Sequence, residues 1–459
     1  MNIKLLYVIL FIISCIVSIY TKVNYSNQGY SVIYILPLIF AFITIFKIIF
    51  TPKKILIIII DMIYFVRLVL INFMVVYSGW YEGRSLLSPL VDTYYKAIYL
   101  LALEYIFVNI FYYIFVKSKD INLTNKNLNL RIEKDDFKDK IYILFLFFNV
   151  LLLVFNRENI SILGIGQSTT NNLELVENTF TTLMSISLYV SKYILIGIVI
   201  RYFYNLYECK KNYRYIIYSF LLVLFINMFF IGDNRMDALL PIITSLLLLN
   251  YLYGKKMFLF NGIMVLFAIS AIYFISILRG SFEYNITNDT NSLITDYLQI
   301  YFGGIYNIAL SIEASNFNNN NNFLIFLYDL VRPFLGLNFF WRSDVIQMSS
   351  TIFNIRIFGT EGHTTQIIPL LGQFYMPFGY LGVVIAPLLI SLILRFFLTY
   401  LYRSYIIDSV IIIPILIRLC FAYFQNISIF INEMSSLLII FLVMKFIVLI
   451  FKNIYKKNT

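Results

Sequence analysis

The chain has 459 residues, of which 61% are hydrophobic, and a formal net charge of +11. Its mean hydropathy of +0.83 excludes a soluble domain of this length, because so many all-apolar helices would leave no polar surface for water. The composition indicates an all-α, polytopic integral membrane protein, and we expect no nucleic-acid partner.

Apolar runs of about 20 residues recur along the chain, each long enough to cross a hydrocarbon core of roughly 30 Å. We interpret the first run as an uncleaved span, although residues 12–15 resemble a lipoprotein cleavage box. The tenth run is long enough to be tilted, bent at Pro377 or Pro387, or partly outside the bilayer. The predicted spans are 4–21, 31–50, 55–77, 96–116, 141–155, 180–203, 215–231, 237–253, 257–278, 366–399, 405–424 and 434–451.

Lysine and arginine in alternate short loops predict the orientation, because both favour the cytoplasmic side. Every strongly basic short loop falls on that side if there are about twelve transmembrane helices with both termini cytoplasmic. The polar interruption 279–363 is then extracytoplasmic. Its apolar stretches, 293–315 and 323–341, are expected to lie on the membrane interface as amphipathic helices.

The predicted division of the chain has three parts. They are an N-terminal nine-helix membrane part (1–278), a large extracytoplasmic loop (279–365) and a C-terminal three-helix membrane part (366–459). Its three cysteines are widely scattered and it has a single histidine, so the sequence predicts neither a disulfide framework nor a structural zinc site. We expect no metal and no cofactor.

Arginine is enriched on the predicted outer side. The outer segments hold two lysines but seven arginines, whereas lysine predominates inside. Arginine binds phosphate and carboxylate through a planar fork that stays charged, which favours an anionic ligand such as pyrophosphate. The alternative is that each arginine pairs with an outer carboxylate. The seven are Arg84, Arg157, Arg235, Arg279, Arg332, Arg342 and Arg356.

The short segment 232–237 joins two predicted spans with almost no slack. Asp233 or Asn234 can cap the following helix, and Arg235 then lies at the positive end of the helix dipole, a plausible anion site. Asp237 could orient Arg235 or remain solvated. A tight capped turn with a snorkelling arginine is an equal interpretation.

Candidate bases lie at the far end of the large loop. His363 has the side chain whose ordinary pKa, about 6.5, suits a general base, and Glu361 is the other candidate. A surface or hydrogen-bonded histidine is the competing interpretation.

Several charges fall inside predicted spans, where they are costly and usually face the bundle interior. Asp61 and Arg67 do not share a helix face well, so each is expected to pair across helices. Glu104 and Arg418 are the further partners expected.

Short motifs and the overall plan resemble a known family. The run Gly232-Asp-Asn-Arg235-Met-Asp-Ala-Leu-Leu is similar to the Gly-Ser-Arg-x-x-x-Leu segment of bacterial O-antigen and capsular repeat-unit polymerases (Wzy-type), with Asp-Asn in place of Ser. Gly362-His363-Thr-Thr-Gln, followed by Phe378-Gly-Tyr-Leu-Gly382, is similar to the segment where polymerases and O-antigen ligases carry a histidine before a span. Arg279-Gly280 and Tyr301-Phe-Gly-Gly304 also resemble that family.

The resemblance implies a GT-C-like helical bundle in the bacterial plasma (inner) membrane. Its activity would be metal-independent glycosyl transfer, which polymerises undecaprenyl-pyrophosphate-linked oligosaccharide repeat units into O-antigen or capsule at the extracytoplasmic face. A chain-length regulator and a flippase are the implied partners besides the lipid-linked substrates and the bilayer.

The resemblance and the charge pattern together give the predicted site. Arg235 and Arg279 would bind the pyrophosphate, with Arg332, Arg342 and Arg356 as auxiliary ligands. His363 or Glu361 would act as the base, and Asp233 and Asp237 would be supporting residues beside Arg235. Two alternatives stay open, namely an O-antigen ligase and a lipid-linked oligosaccharide flippase. A flippase would be expected to show repeated halves and short loops on both sides.

Overall fold

The described part of the chain folds as an all-α protein with one small strand pair. The computed structural model describes residues 3–50, 54–81, 83–121, 136–155, 160–162, 179–231, 235–278, 289–318, 322–341, 346–359 and 366–458. The first ten helices are α1 Ile3–Asn24, α2 Ile35–Phe50, α3 Ile55–Phe65, α4 Ile71–Ser78, α5 Val91–Phe111, α6 Asp136–Phe155, α7 Thr179–Lys210, α8 Arg214–Asn227, α9 Arg235–Tyr253 and α10 Phe258–Leu278. The others are α11 Thr290–Phe302, α12 Ile305–Ala314, α13 Asn322–Val331, α14 Ser349–Phe358, α15 Leu370–Phe378, α16 Gly382–Leu401, α17 Ile406–Phe421 and α18 Ile427–Asn458.

The helices agree with the predicted membrane class. Among the described residues, nine helical stretches are long and apolar enough to cross a membrane. The other three predicted spans coincide with α6, α8 and α10, whose described apolar portions are shorter. The prediction of a multi-pass helical membrane protein is therefore confirmed. The total of twelve spans, the side of each terminus and the division into three parts stay predictions.

Two candidate spans contain a local departure from α-helix. In Ile55–Ser78 a π-helical turn, Val66–Leu70, separates α3 from α4 and contains Arg67. Such turns are rare and often occur at functional positions. In Leu370–Leu401, α15 ends at Phe378, directly after Pro377, and Gly379 adopts a positive φ of 54° before α16 begins. The bend expected at one of two prolines thus follows the first of them.

The described helices form two compact units, each assembled from separate stretches of the chain. Unit 1 comprises Met1–Asn127, Asn285–Thr399 and Arg418–Glu433. Unit 2 comprises Leu128–Tyr284, Tyr400–Ile417 and Met434–Thr459.

Unit 2 contains the strand pair, β1 Ile160–Ile162 and β2 Phe229–Ile231, which is antiparallel with Ser161 opposite Phe230. Within the same unit, Lys445 pairs with Asp408 at 3.0 Å.

Unit 1 encloses two short helices of the predicted large loop. All residues of α12 except Glu313 are buried, so this helix is surrounded by protein rather than exposed along one face. Its predecessor α11 ends at Gly303, whose φ of 57° turns the chain into α12. A side chain at Gly303 would approach within 3.0 Å of Pro369, so both the turn and the close packing favour glycine. The first half of the predicted interfacial region is therefore a bent helix pair packed into unit 1.

Candidate functional site

The structure describes some of the predicted site residues and not others. Arg235 begins α9, but only its backbone is described. Asp237 lies in the first turn of α9, close enough for an electrostatic interaction between its carboxylate and the buried ammonium group of Lys192 in α7. Arg332 and Arg356 are described in full. Asp233, Arg279, Arg342, Glu361 and His363 lie outside the described residues.

Arg356, on the last turn of α14, is fully engaged by protein. Its Nη2 and Nε donate to Glu313 Oε2 at 2.5 and 3.2 Å, and its Nη1 and Nη2 donate to the Leu87 carbonyl oxygen at 3.3 and 3.4 Å. Both partners of the ion pair are nearly buried, with 11% and 13% of their side chains exposed. Arg356 thus fits the alternative of carboxylate pairing, and an anion would have to compete with Glu313.

Arg84 is held in the same way. Its Nε donates to Asp296 Oδ2 at 2.5 Å, and its guanidinium lies 5.6 Å from the ring centre of Tyr297. Burial raises the pKa of Asp296, and the charge of Arg84 acts in the opposite direction. Two of the seven arginines that the sequence predicts on the outer side therefore fasten the segment before α5 to α11, α12 and α14.

The segment 83–90 is bound by backbone groups as well. Leu86 N donates to the Ile357 carbonyl oxygen at 3.0 Å, and Leu90 N donates to Glu313 Oε1 at 2.8 Å. Ser85 N donates to the Tyr306 hydroxyl at 2.6 Å. A backbone N–H that is buried without a partner costs free energy. These three hydrogen bonds therefore fix the path of the segment over α12 and α14.

Arg332 differs from Arg84 and Arg356. It follows α13, is partly buried, and its backbone N–H donates to Tyr328 O at 2.9 Å. Within the described part of the chain, no carboxylate pairs with its guanidinium. Of the predicted auxiliary arginines that the structure describes, Arg332 is thus the one whose charge stays available to a ligand.

The residues on either side of 360–365 are both fixed to α14. Gly359 closes this helix with a φ of 70°, and its N–H donates to the Ile355 carbonyl oxygen at 2.8 Å. Gln366 N donates to Asn354 Oδ1 at 3.0 Å, and Asn354 Nδ2 donates to the Gln366 carbonyl oxygen at 2.9 Å. The segment that carries Glu361 and His363 therefore leaves and rejoins the described structure at one helix.

A buried polar network lies behind α14. Asp329 accepts from Gln373 Nε2 at 2.6 Å and from Ser349 N at 3.1 Å. Gln373 Oε1 accepts from Ile427 N at 2.8 Å, and Ser428 Oγ donates to the Asp329 carbonyl oxygen at 3.0 Å. Burial raises the pKa of Asp329 to about 6. The network joins α13, α14, α15 and α18, and sequence reasoning missed it, since a single aspartate in an apolar run carries no motif.

The intramembrane charges pair across helices as the sequence predicted. Arg67 Nη1 donates to Glu104 Oε2 at 2.7 Å, and both side chains are fully buried. Asp61 pairs with Lys47, and Tyr7 adds a hydrogen bond to Asp61 of 2.8 Å. Arg418, which was expected among the partners of these charges, pairs instead with Glu433.

No protein-family model matches the chain, and no curated protein or solved structure matches it either. Among the described residues, no group of three or more histidine, cysteine, aspartate or glutamate side chains is arranged to hold a metal ion.

Proposed function

We propose that the protein polymerises undecaprenyl-pyrophosphate-linked oligosaccharide repeat units into a surface polysaccharide at the extracytoplasmic face of a bacterial plasma membrane. The reaction is a glycosyl transfer. The acceptor hydroxyl oxygen attacks the anomeric carbon of the donor glycan, the bond to the pyrophosphate oxygen breaks, and a base removes the hydroxyl proton. The products are the lengthened lipid-linked glycan and undecaprenyl pyrophosphate.

The observation that carries the proposal is the pair of hydrogen bonds between Asn354 and Gln366. They hold Gln366, which directly follows residues 360–365 in the sequence, against α14, and the Asp329 network and the Arg356–Glu313 pair fix α14 in turn. Catalytic groups commonly lie on loops that a rigid scaffold positions. The firm anchoring of the described residues on both sides of 360–365 supports His363, the only histidine of the sequence, as the base, with Glu361 as the second candidate.

The distribution of arginines supports an anionic leaving group. Arg235 and Arg279 are the proposed ligands of the pyrophosphate. Arg332, whose guanidinium pairs with no carboxylate among the described residues, is the described group that can assist them. Guanidinium groups stabilise the charge that develops on a leaving phosphate without a metal ion. Arg342 remains an auxiliary candidate, whereas Arg356 now has a structural contribution through Glu313.

The test is the glycan pattern of a strain whose own copy of the gene is deleted and replaced by variants. Wild type restores long polymer. We expect Arg235→Ala, Arg279→Ala and His363→Ala to leave one repeat unit per carrier, and Arg332→Ala to shorten the polymer. Arg395→Ala, at an exposed position of α16, is the matched control and should restore full length. Membrane levels of each variant are measured by immunoblot.

The outcomes separate the alternatives. Long polymer from all three alanine variants at normal protein levels would overturn the proposed site. If the deletion strain assembles polymer on its lipid carrier but fails to transfer it, the protein is a ligase. If single repeat units never reach the outer surface, it is a flippase.

A further inference from the structure

An apolar groove opens on the surface of unit 1 between α1, α2 and α5. Its volume is about 970 Å³, within the range of roughly 300–1,000 Å³ that sites for small ligands have. Its lining includes Phe11 and Cys15 of α1, Phe42 and Phe46 of α2, and Ile110 of α5. All five lie in candidate spans, so the medium around the groove is expected to be hydrocarbon rather than water.

The side chains at the rim face outward. The exposed fractions of Phe42, Phe46 and Ile110 are 61%, 47% and 43%. Because almost all of the lining is apolar, water in the groove would find few hydrogen-bond partners, and a hydrocarbon chain would fill it at no such cost. The apolar lining therefore favours a ligand with long hydrocarbon chains.

One end of the groove is positively charged. Tyr113 lines it, and the ammonium group of Lys117 lies 4.7 Å from the centre of the Tyr113 ring. Lys117 is exposed, and none of the carboxylates in the described ranges pairs with it. Lys54 lies close enough for the two positive charges to interact, and its Nζ donates to the Asp120 carbonyl oxygen at 2.8 Å.

The neighbouring carboxylates already have other partners, which leaves the ammonium group of Lys117 available to a ligand. Lys47 is buried and paired with Asp61, and the carboxylate of Asp120 accepts from Leu56 N at 3.2 Å and from the Tyr112 hydroxyl. The orientation predicted from the basic loops puts this end at the cytoplasmic surface. Basic groups between transmembrane helices at that surface commonly bind the head groups of anionic lipids.

We propose that this groove binds an anionic phospholipid of the inner leaflet, with its acyl chains between α1, α2 and α5 and its phosphate at Lys117. The site is independent of the proposed glycosyl transfer. It requires only that α1, α2 and α5 lie in the membrane with their Lys117 end at a lipid head-group layer.

The test is native mass spectrometry of the purified full-length protein in mild detergent. Phosphatidylglycerol and phosphatidylcholine with the same acyl chains are added at equal concentration. We expect one phosphatidylglycerol to be retained in preference. Lys117→Gln should reduce that preference about fivefold, the effect of one interfacial cation near an anionic surface. Ile110→Trp, which places a larger side chain in the groove, should weaken retention of both lipids.

Two controls keep the result specific. Lys22→Gln removes an exposed cation near the opposite end of α1, and Ile19→Trp enlarges a side chain of α1 that does not line the groove. Both should behave as wild type. Equal retention of the two lipids by wild type, or unchanged retention by Ile110→Trp, would overturn the proposal. Stronger retention of undecaprenyl phosphate than of phosphatidylglycerol would also overturn it, since the occupant would then be the carrier lipid. A groove filled by a second copy of the chain would appear as a dimer that excludes lipid.

Discussion

Arg67 Nε donates to the carbonyl oxygen of Gly303 at 3.0 Å, and this bond joins the interior of a membrane helix to the corner between α11 and α12. Arg67 also binds Glu104 through Nη1. The π-helical turn places this guanidinium near the middle of the candidate span Ile55–Ser78. One planar fork thus connects two candidate spans and the bent helix pair of the large loop.

Replacing Arg67 should destabilise the protein strongly. Arg67→Ala would leave the buried carboxylate of Glu104 and the carbonyl of Gly303 without their donor, and breaking a buried ion pair costs about 3–5 kcal/mol. Arg67→Lys should recover only part of this, because an ammonium group lacks the fork that reaches both acceptors. Thermal unfolding in detergent measures the difference, with Arg395→Ala as the exposed control. Unfolding of Arg67→Lys at the wild-type temperature would contradict the two-acceptor role.

The Arg67–Gly303 bond also predicts that α11 and α12 form a re-entrant hairpin. Near the middle of α11, Thr295 Oγ1 donates to Ser78 Oγ at 3.0 Å, at the end of α4. Asp289 and Thr290 precede it by more than a helical turn, and Glu313 near the end of α12 accepts from the amide just before α5. Both ends of the pair therefore lie at one end of unit 1, and the corner lies deeper. The 10 residues of α12 span about 15 Å, roughly half of a hydrocarbon core.

Cysteine accessibility checks the hairpin in a background where Cys15, Cys209 and Cys420 are replaced by serine. Asn291→Cys and Asn316→Cys should both react with a membrane-impermeant thiol reagent from outside intact cells. Tyr301→Cys should not react, although 40% of Tyr301 is exposed, because that surface would face hydrocarbon. Rapid labelling at 301 would place the corner in water. Labelling at 316 only after permeabilisation would mean that the segment crosses the membrane.

The multi-pass helical class could be predicted from the sequence because composition alone determines where long apolar runs occur. The charges at Arg67 and Glu104 could be assigned to cross-helix pairs for the same reason, since an isolated charge inside a span has no other stable arrangement. Neither argument depends on which helices are neighbours, and so both were accessible to sequence reasoning.

The candidate site was less accessible because it depends on contacts between distant segments. In the sequence, Arg356 and Glu313 are two unrelated charges in a predicted outer segment. Only the packing of α14 on α12 brings them together as an ion pair. The interfacial interpretation of 293–315 used amphipathicity, which cannot distinguish a polar face turned to water from one turned to buried partners. Asp296 and Gln299 are on that polar face and are both buried.

Packing between α12 and α15 leaves no space at Gly372. A Cβ there would lie 2.0 Å from Ser311 Oγ and 2.4 Å from its Cβ. Gly372→Ala should lower the free energy of unfolding by about 1–3 kcal/mol, the usual cost of overpacking. Ser311→Gly in the same chain should restore part of it, because a glycine inside α12 itself costs about 0.5–1 kcal/mol. Gly262→Ala in α10, where nothing lies within 4 Å, is the control and should be neutral or stabilising. Thermal unfolding of the wild type and the three variants measures the effect. No rescue by the double substitution would contradict the contact.

The buried carboxyl of Asp329 should make stability depend on pH. Its pKa is raised to about 6 by burial, from an ordinary value of 3.8. Between these values the folded state binds the proton more tightly than the unfolded state, so stability falls as pH rises and the loss is complete above about 6. The unfolding temperature should therefore be higher at pH 5 than at pH 7.5. The corresponding change in the free energy of unfolding is at most about 3 kcal/mol. In Asp329→Asn this component should vanish; an unchanged pH profile would show that Asp329 does not titrate in this range.

Glu313 should control the order of the segment before α5 through two separate bonds. Its Oε1 accepts from Leu90 N and its Oε2 from Arg356, so Glu313→Ala removes both. Hydrogen exchange at the Leu90 amide should then accelerate about tenfold, the effect of losing one net hydrogen bond. Glu313→Gln is the matched variant, because its amide oxygen can still accept from Leu90 N while the charge that holds Arg356 is gone. Exchange at Leu90 should stay slow in Glu313→Gln, and the Leu86 amide, which donates to Ile357 O, reports whether α14 itself has moved. Equal acceleration at Leu90 in both variants would show that the ion pair, rather than the amide bond, fixes the segment.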